Sequence, residues 1–67
     1  MKIKELLKYA EYGITVYFVF EDVIEMKYDF DKNSSLSEAD MEARNMEPSK
    51  IWGGDDGTVC VEVKMNG

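Results

Sequence analysis

The sequence predicts an α+β fold: a small single domain over residues 1–67, in the order α-β-β-α-β-β, with antiparallel hairpins packed against an N-terminal helix. Three observations predict it. An apolar stripe with helical spacing opens the chain, a run of alternating β-branched and aromatic residues follows, and the C-terminus alternates valines behind an Asp-Gly pair. A chain of 67 residues removes only about 60% of its unfolded surface from water, so little core is left over for a deep pocket.

In residues 2–12, Ile3, Leu6, Leu7 and Ala10 recur at i, i+3, i+4 and i+7, with Lys4, Glu5, Lys8 and Glu11 off the stripe. Gly13 is placed to close this helix in a left-handed cap. Tyr9 and Tyr12 flank the stripe, either roofing the core edge or belonging to a contact surface.

The stretch ITVYFVFEDVIEMKYDF reads as two strands. Ile14, Val16, Phe18 and Phe20 face inward on the first, and Ile24, Met26, Tyr28 and Phe30 on the second, leaving Glu25, Lys27, Asp29 and Asp31 outward. Cross-strand partners share a face, so pairing Phe20 with Ile24 brings Phe18 to Met26, Val16 to Tyr28 and Ile14 to Phe30. A two-residue turn at Glu21 and Asp22 would oppose Phe18 to Glu25 instead. The register therefore predicts an odd loop, three or five residues, centred on Asp22. Thr15, Tyr17 and Val19 make the outward face of the first strand more apolar than a solvated face needs. Either a helix, loop or second subunit covers them, or they form a partner site.

SSLSEADMEARNM supplies a second helix. Ser35 with Glu38 is one capping frame, and Ser37 with a Leu36–Met41 staple is the other. Leu36, Ala39, Ala43 and Met46 form its apolar side while Glu38, Asp40, Glu42 and Arg44 point elsewhere, and Pro48 stops it. The C-terminus reads as a second hairpin turning at Asp56 and Gly57. Val59, Val61, Val63 and Met65 face one way, and Thr58, Cys60, Glu62 and Lys64 the other. A two-residue turn sets Trp52 opposite Val61 as a core aromatic and Lys50 opposite Val63; Gly53 and Gly54 mark a bulge.

Acids outnumber Lys and Arg by 14 to 8, a net charge of −6, so the long-range field repels phosphate backbones and attracts a basic protein surface. Direct nucleic-acid binding is disfavoured. The single cysteine, Cys60, allows no intrachain disulfide and no thiolate cluster. Charges interrupt the apolar residues of MKIKELLKYAEYG every few positions, against a signal peptide or membrane span. These features predict a cytoplasmic protein.

Asp29, Asp31, Asn33, Ser37 and Asp40 match positions 1, 3, 5, 9 and 12 of a calcium loop, and Leu36 its apolar position 8. Against it stand Ser34 where that loop needs Gly, Asp40 in place of the bidentate Glu, and a strand where a helix should enter. Capping explains the serines without a cation, so no metal or other cofactor is expected. The chain has no histidine, which removes the commonest general base, and Cys60 lies mid-strand with nothing to activate it. GGDDG lacks the Lys and Ser or Thr of a phosphate loop and leads into a strand. No catalytic residues are assigned, and the expectation is that the protein is not an enzyme.

What remains is a surface. Tyr17, Val19, Glu21, Asp22, Glu25, Asp29 and Asp31 share one end or the outward face of the first hairpin, an aromatic anchor within an acidic field. The opening MKIKELLKYAEYGITVYF and the closing DDGTVCVEV resemble the ends of short accessory proteins encoded by phages and prophages of Gram-positive bacteria. Small acidic anti-CRISPR proteins, which imitate nucleic-acid charge, are one such class. The resemblance implies an anti-defence interaction protein that inhibits a nucleic-acid-binding host defence nuclease from within the host cytoplasm. The alternatives are a small-molecule or calcium-binding module, or a structural subunit of a homo-oligomer.

Overall fold

The computed structural model describes residues 1–32, 37–54 and 56–65. It contains α1 (Ile3–Leu6), β1 (Ile14–Phe20), β2 (Val23–Phe30), α2 (Glu38–Asn45), β3 (Lys50–Gly53) and β4 (Val59–Lys64), the expected α-β-β-α-β-β order. The strands form one mixed sheet, β2-β1-β4-β3. Each hairpin is antiparallel, and the two are joined by a parallel seam in which Ile14 meets Val59 and Val16 meets Val61. β1 is therefore central, which explains why Thr15 and Val19 are buried along with the residues of its other face.

Both helices pack on one face of the sheet. Ile3, Leu7, Ala10 and Ala43 meet Ile14, Val16, Phe18, Phe30 and Val61 there, with Leu6 and Met46 closing the edges. Each fully buried aliphatic side chain in this layer contributes about 1.5–3 kcal/mol. The backbone amide of Ile3 donates to the Met46 carbonyl at 2.9 Å and ties the two helices together. The helices leave the hairpin tip bare: Val23 and Met26 share this face yet remain 59% and 54% exposed.

α1 is shorter than the 2–12 span predicted, because Lys2 supplies no capping side chain and one turn propagates poorly unaided. The apolar stripe survives in the turns that follow. Gly13 does not cap the helix. At φ +117° it leads into β1, and a β-carbon there would sit 2.6 Å from the Phe30 carbonyl oxygen. Tyr9 and Tyr12 are exposed, and the Tyr12 ring lies against Gly57.

Of the two caps for α2, the Ser37 frame forms, its hydroxyl oxygen accepting from the Asp40 amide at 3.2 Å; Asn33 to Leu36, including the Ser35 frame and the Leu36 end of the stripe, lie outside the described residues. Asp40 and Ala43, not Ala39 and Ala43, form the buried side. Asp40 is 2% exposed and accepts a hydrogen bond from the Tyr28 hydroxyl, which requires a partner once its ring is covered.

The first hairpin departs from its predicted loop. Glu21 and Asp22 form a two-residue turn with both residues left-handed, at φ 49° and 64°. Ile14–Phe30, Val16–Tyr28 and Phe18–Met26 pair as expected, but Val19 then meets Ile24 and Phe20 meets Val23. Glu25 is the extra residue, a β-bulge that restores the inner-face register beyond it. Ile24 consequently moves to the outer face.

The second hairpin departs by one residue too. Trp52 pairs with Cys60, and Ile51 takes the place opposite Val61. Gly54 donates to the Thr58 carbonyl at 2.7 Å, and Gly57 carries the positive φ, 84°. Asp56 does not adopt the left-handed conformation that a two-residue turn needs. Its carboxylate instead takes hydrogen bonds from the Thr58 side chain and, at 3.2 Å, the Thr58 amide, which favour the charged form and hold its pKa below the usual aspartate range. Trp52 is thus a residue of the outer face and not of the core.

Candidate functional site

Neither α1 nor α2 covers the outer face, and its composition follows from the register. Row by row across β2, β1, β4 and β3 it carries Asp29, Thr15, Cys60 and Trp52, then Lys27, Tyr17, Glu62 and Lys50, then Ile24, Val19 and Lys64 towards the first turn. Tyr17 and Trp52 reach over β4 from either side and stack, ring centroids 5.6 Å apart and planes 13° from parallel. The Lys50 ammonium lies 5.8 Å from the Trp52 centroid, within cation–π range.

Beside the stack is a half-open depression of about 370 Å³ lined by Tyr17, Trp52, Val19, Ile24, Asp22 and Glu62. Its walls are of three kinds: two aromatic rings, two aliphatic side chains and two carboxylates. Val19 forms a buried floor at 8% exposure, whereas Ile24 at 60% and Trp52 at 38% present their surfaces to solvent. Glu62, on β4 between the strands that carry the two rings, accepts a long contact from the Ser49 hydroxyl at 3.5 Å.

Of the residues singled out from the sequence, the fold brings Tyr17, Val19 and Asp22 together here. Glu21 and Asp22 also line a smaller hollow of about 170 Å³ with Lys64 and Met65. Glu25 is exposed at the bulge. Asp29 is on the outer face but away from the depression: it accepts from the Thr15 hydroxyl at 2.6 Å and lies 3.9 Å from the Lys27 ammonium. Its partner Thr15 and the Ile24 partner Val19 are four positions apart on β1, about 13 Å at strand rise. Asp31 follows the end of β2, where its carbonyl accepts from the Arg44 guanidinium at 3.4 Å.

Comparison of the chain with protein-family models, curated proteins and solved structures finds no match. Of the calcium-like stretch, Ser37 is committed as a helix cap and Asp40 to Tyr28. No group of acids among the described residues is arranged to hold a metal. Among the same residues no helix is long and apolar enough to cross a membrane.

Ile24, Trp52 and Glu62 are the members of the site that alternation alone misplaces or passes over. Two signals were present in the chain. Val23 and Ile24 are consecutive apolar residues, the break in alternation that accompanies a bulge. The register actually adopted sets Lys50 opposite Glu62, an opposite-charge cross-strand pair that the alternative register forfeits.

Proposed function

We propose that this protein is a non-enzymatic docking module that uses the open face of its sheet to engage a partner protein with a basic surface. The observation that carries this reading is the Tyr17–Trp52 stack, set beside Val19 and Ile24 on a face that neither helix covers. Aromatic anchors in a small depression supply buried area, and the acids at its rim, with a net charge of −6 behind them, supply orientation and on-rate. The absence of histidine from the chain favours binding over catalysis. The resemblance to phage accessory proteins makes a cytoplasmic defence nuclease the partner class to try first. An acidic module seated in a nuclease's basic groove would inhibit by excluding nucleic acid.

The test is affinity capture from bacterial lysate with the wild-type protein, Tyr17→Ala and Ile24→Asp, each at low and at high salt. Ile24 is exposed at the rim, so its substitution leaves the core intact. The expected result is a basic protein retained by wild type at low salt, weakened by high salt and lost with both variants. Capture that both variants preserve would contradict the assignment of this face. So would a concentration-dependent homodimer in sedimentation that Ile24→Asp abolishes.

A further inference from the structure

We propose that the depression receives an arginine side chain of the partner, an inference that rests on reading this face as the docking surface. The walls match the parts of that side chain in kind. Val19 and Ile24 offer an aliphatic bed to its methylenes, Tyr17 and Trp52 offer aromatic surface to its planar head, and Asp22 and Glu62 offer carboxylates to its charge. A volume of about 370 Å³ is at the small end of the about 300–1,000 Å³ typical of ligand clefts, which suits a single inserted side chain.

Charge sorts the candidates further. An apolar side chain would fill the bed but leave two carboxylates to be desolvated without partners. An acidic one would meet Asp22 and Glu62 directly. Lysine satisfies the charge but not the shape: its ammonium is a compact, strongly hydrated point charge, whereas guanidinium is planar, sheds water readily, stacks on rings and pairs with carboxylates in a fork. Lys50 already places an ammonium 5.8 Å from the Trp52 centroid, so a second cation meets its repulsion at that ring. The remaining positions around the depression, at Tyr17, Asp22 and Glu62, are those that an incoming guanidinium would use.

Trp52 is the chain's single tryptophan, so its fluorescence reports on this site alone. The experiment titrates the full chain with hexa-arginine, with hexalysine of equal charge, and with a neutral hexapeptide of norleucine and glutamine, at fixed salt. The inference predicts that Trp52 emission responds to hexa-arginine with an affinity at least fivefold above that for hexalysine. The double variant Asp22→Asn, Glu62→Gln should abolish that preference while circular dichroism stays unchanged. Equal affinity for the two cationic peptides would overturn the inference, as would no response to either or a stronger response to the neutral one. The partner experiment separates the two levels. Capture that is lost with Ile24→Asp but unaffected by the double variant would sink the arginine site and leave the docking face standing. Capture that Ile24→Asp does not affect would remove the face itself.

Discussion

The two hairpins exchange the turns that their sequences advertise. The first has no glycine, yet it turns in two residues with Glu21 and Asp22 both left-handed; the second carries Asp-Gly, yet it closes through a longer loop in which, among the described residues, only Gly57 has positive φ. Each exchange shifts pairing by one residue, and each shift delivers to the outer face an apolar residue that simple alternation assigns to the core: Ile24 in one hairpin, Trp52 in the other. Those two residues meet Tyr17 and Val19 in the depression. The comparison teaches that the site is a product of register. On the inner face both hairpins obey the demand of the core, and on the outer face the displaced residues gather.

The largest expected effect tests the part that the hairpins share. Ile14 joins β2 and β4 at the seam and is fully buried, so Ile14→Ala should lower the unfolding free energy by about 3 kcal/mol, read by chemical denaturation. A loss below about 1 kcal/mol would place the seam outside the core. Trp52→Ala sharpens the contrast between faces. On the outer face it forfeits a stack and some area, about 1 kcal/mol, where a tryptophan in the core would forfeit about 3–5 kcal/mol; partner affinity should fall tenfold or more. The first turn can be relieved directly. Glu21→Asn with Asp22→Gly replaces two strained residues by ones that tolerate positive φ and should stabilise by about 1 kcal/mol; no gain in melting temperature would mean that the left-handed turn is not adopted. The smallest effect lies in the second loop. Hydrogen bonds from Thr58 lower the pKa of Asp56 in the folded chain, so their contribution is present above the ordinary aspartate range and lost as pH falls through the lowered value. The Thr58 amide resonance should shift across that acidic window and stay still under Asp56→Asn.

Much of the fold was legible because it rests on long, redundant patterns. The stripe of Ile3, Leu7 and Ala10, the inward row Ile14, Val16 and Phe18, and Val61 all occupy the places that periodicity assigns them. The site was only partly legible because it depends on single-residue offsets. Tyr17, Val19 and Asp22 were readable, as unusually apolar outward residues next to an acidic turn. Ile24 and Trp52 were not, because a bulge in one hairpin and a one-residue shift of register in the other change which face a residue occupies without changing its local propensity. Asp40 was misplaced for a different reason: its burial answers the Tyr28 hydroxyl, a partner 12 residues away.

The central claim is that Trp52 lies on the open face, stacked on Tyr17. Nuclear Overhauser contacts from the Trp52 indole test it most directly. The account predicts cross-peaks to the Tyr17 ring and the Lys50 methylenes and none to Leu7 or Val16. Contacts to Leu7 and Val16, with none to Tyr17, would return Trp52 to the core and dissolve the depression on which the proposed function depends.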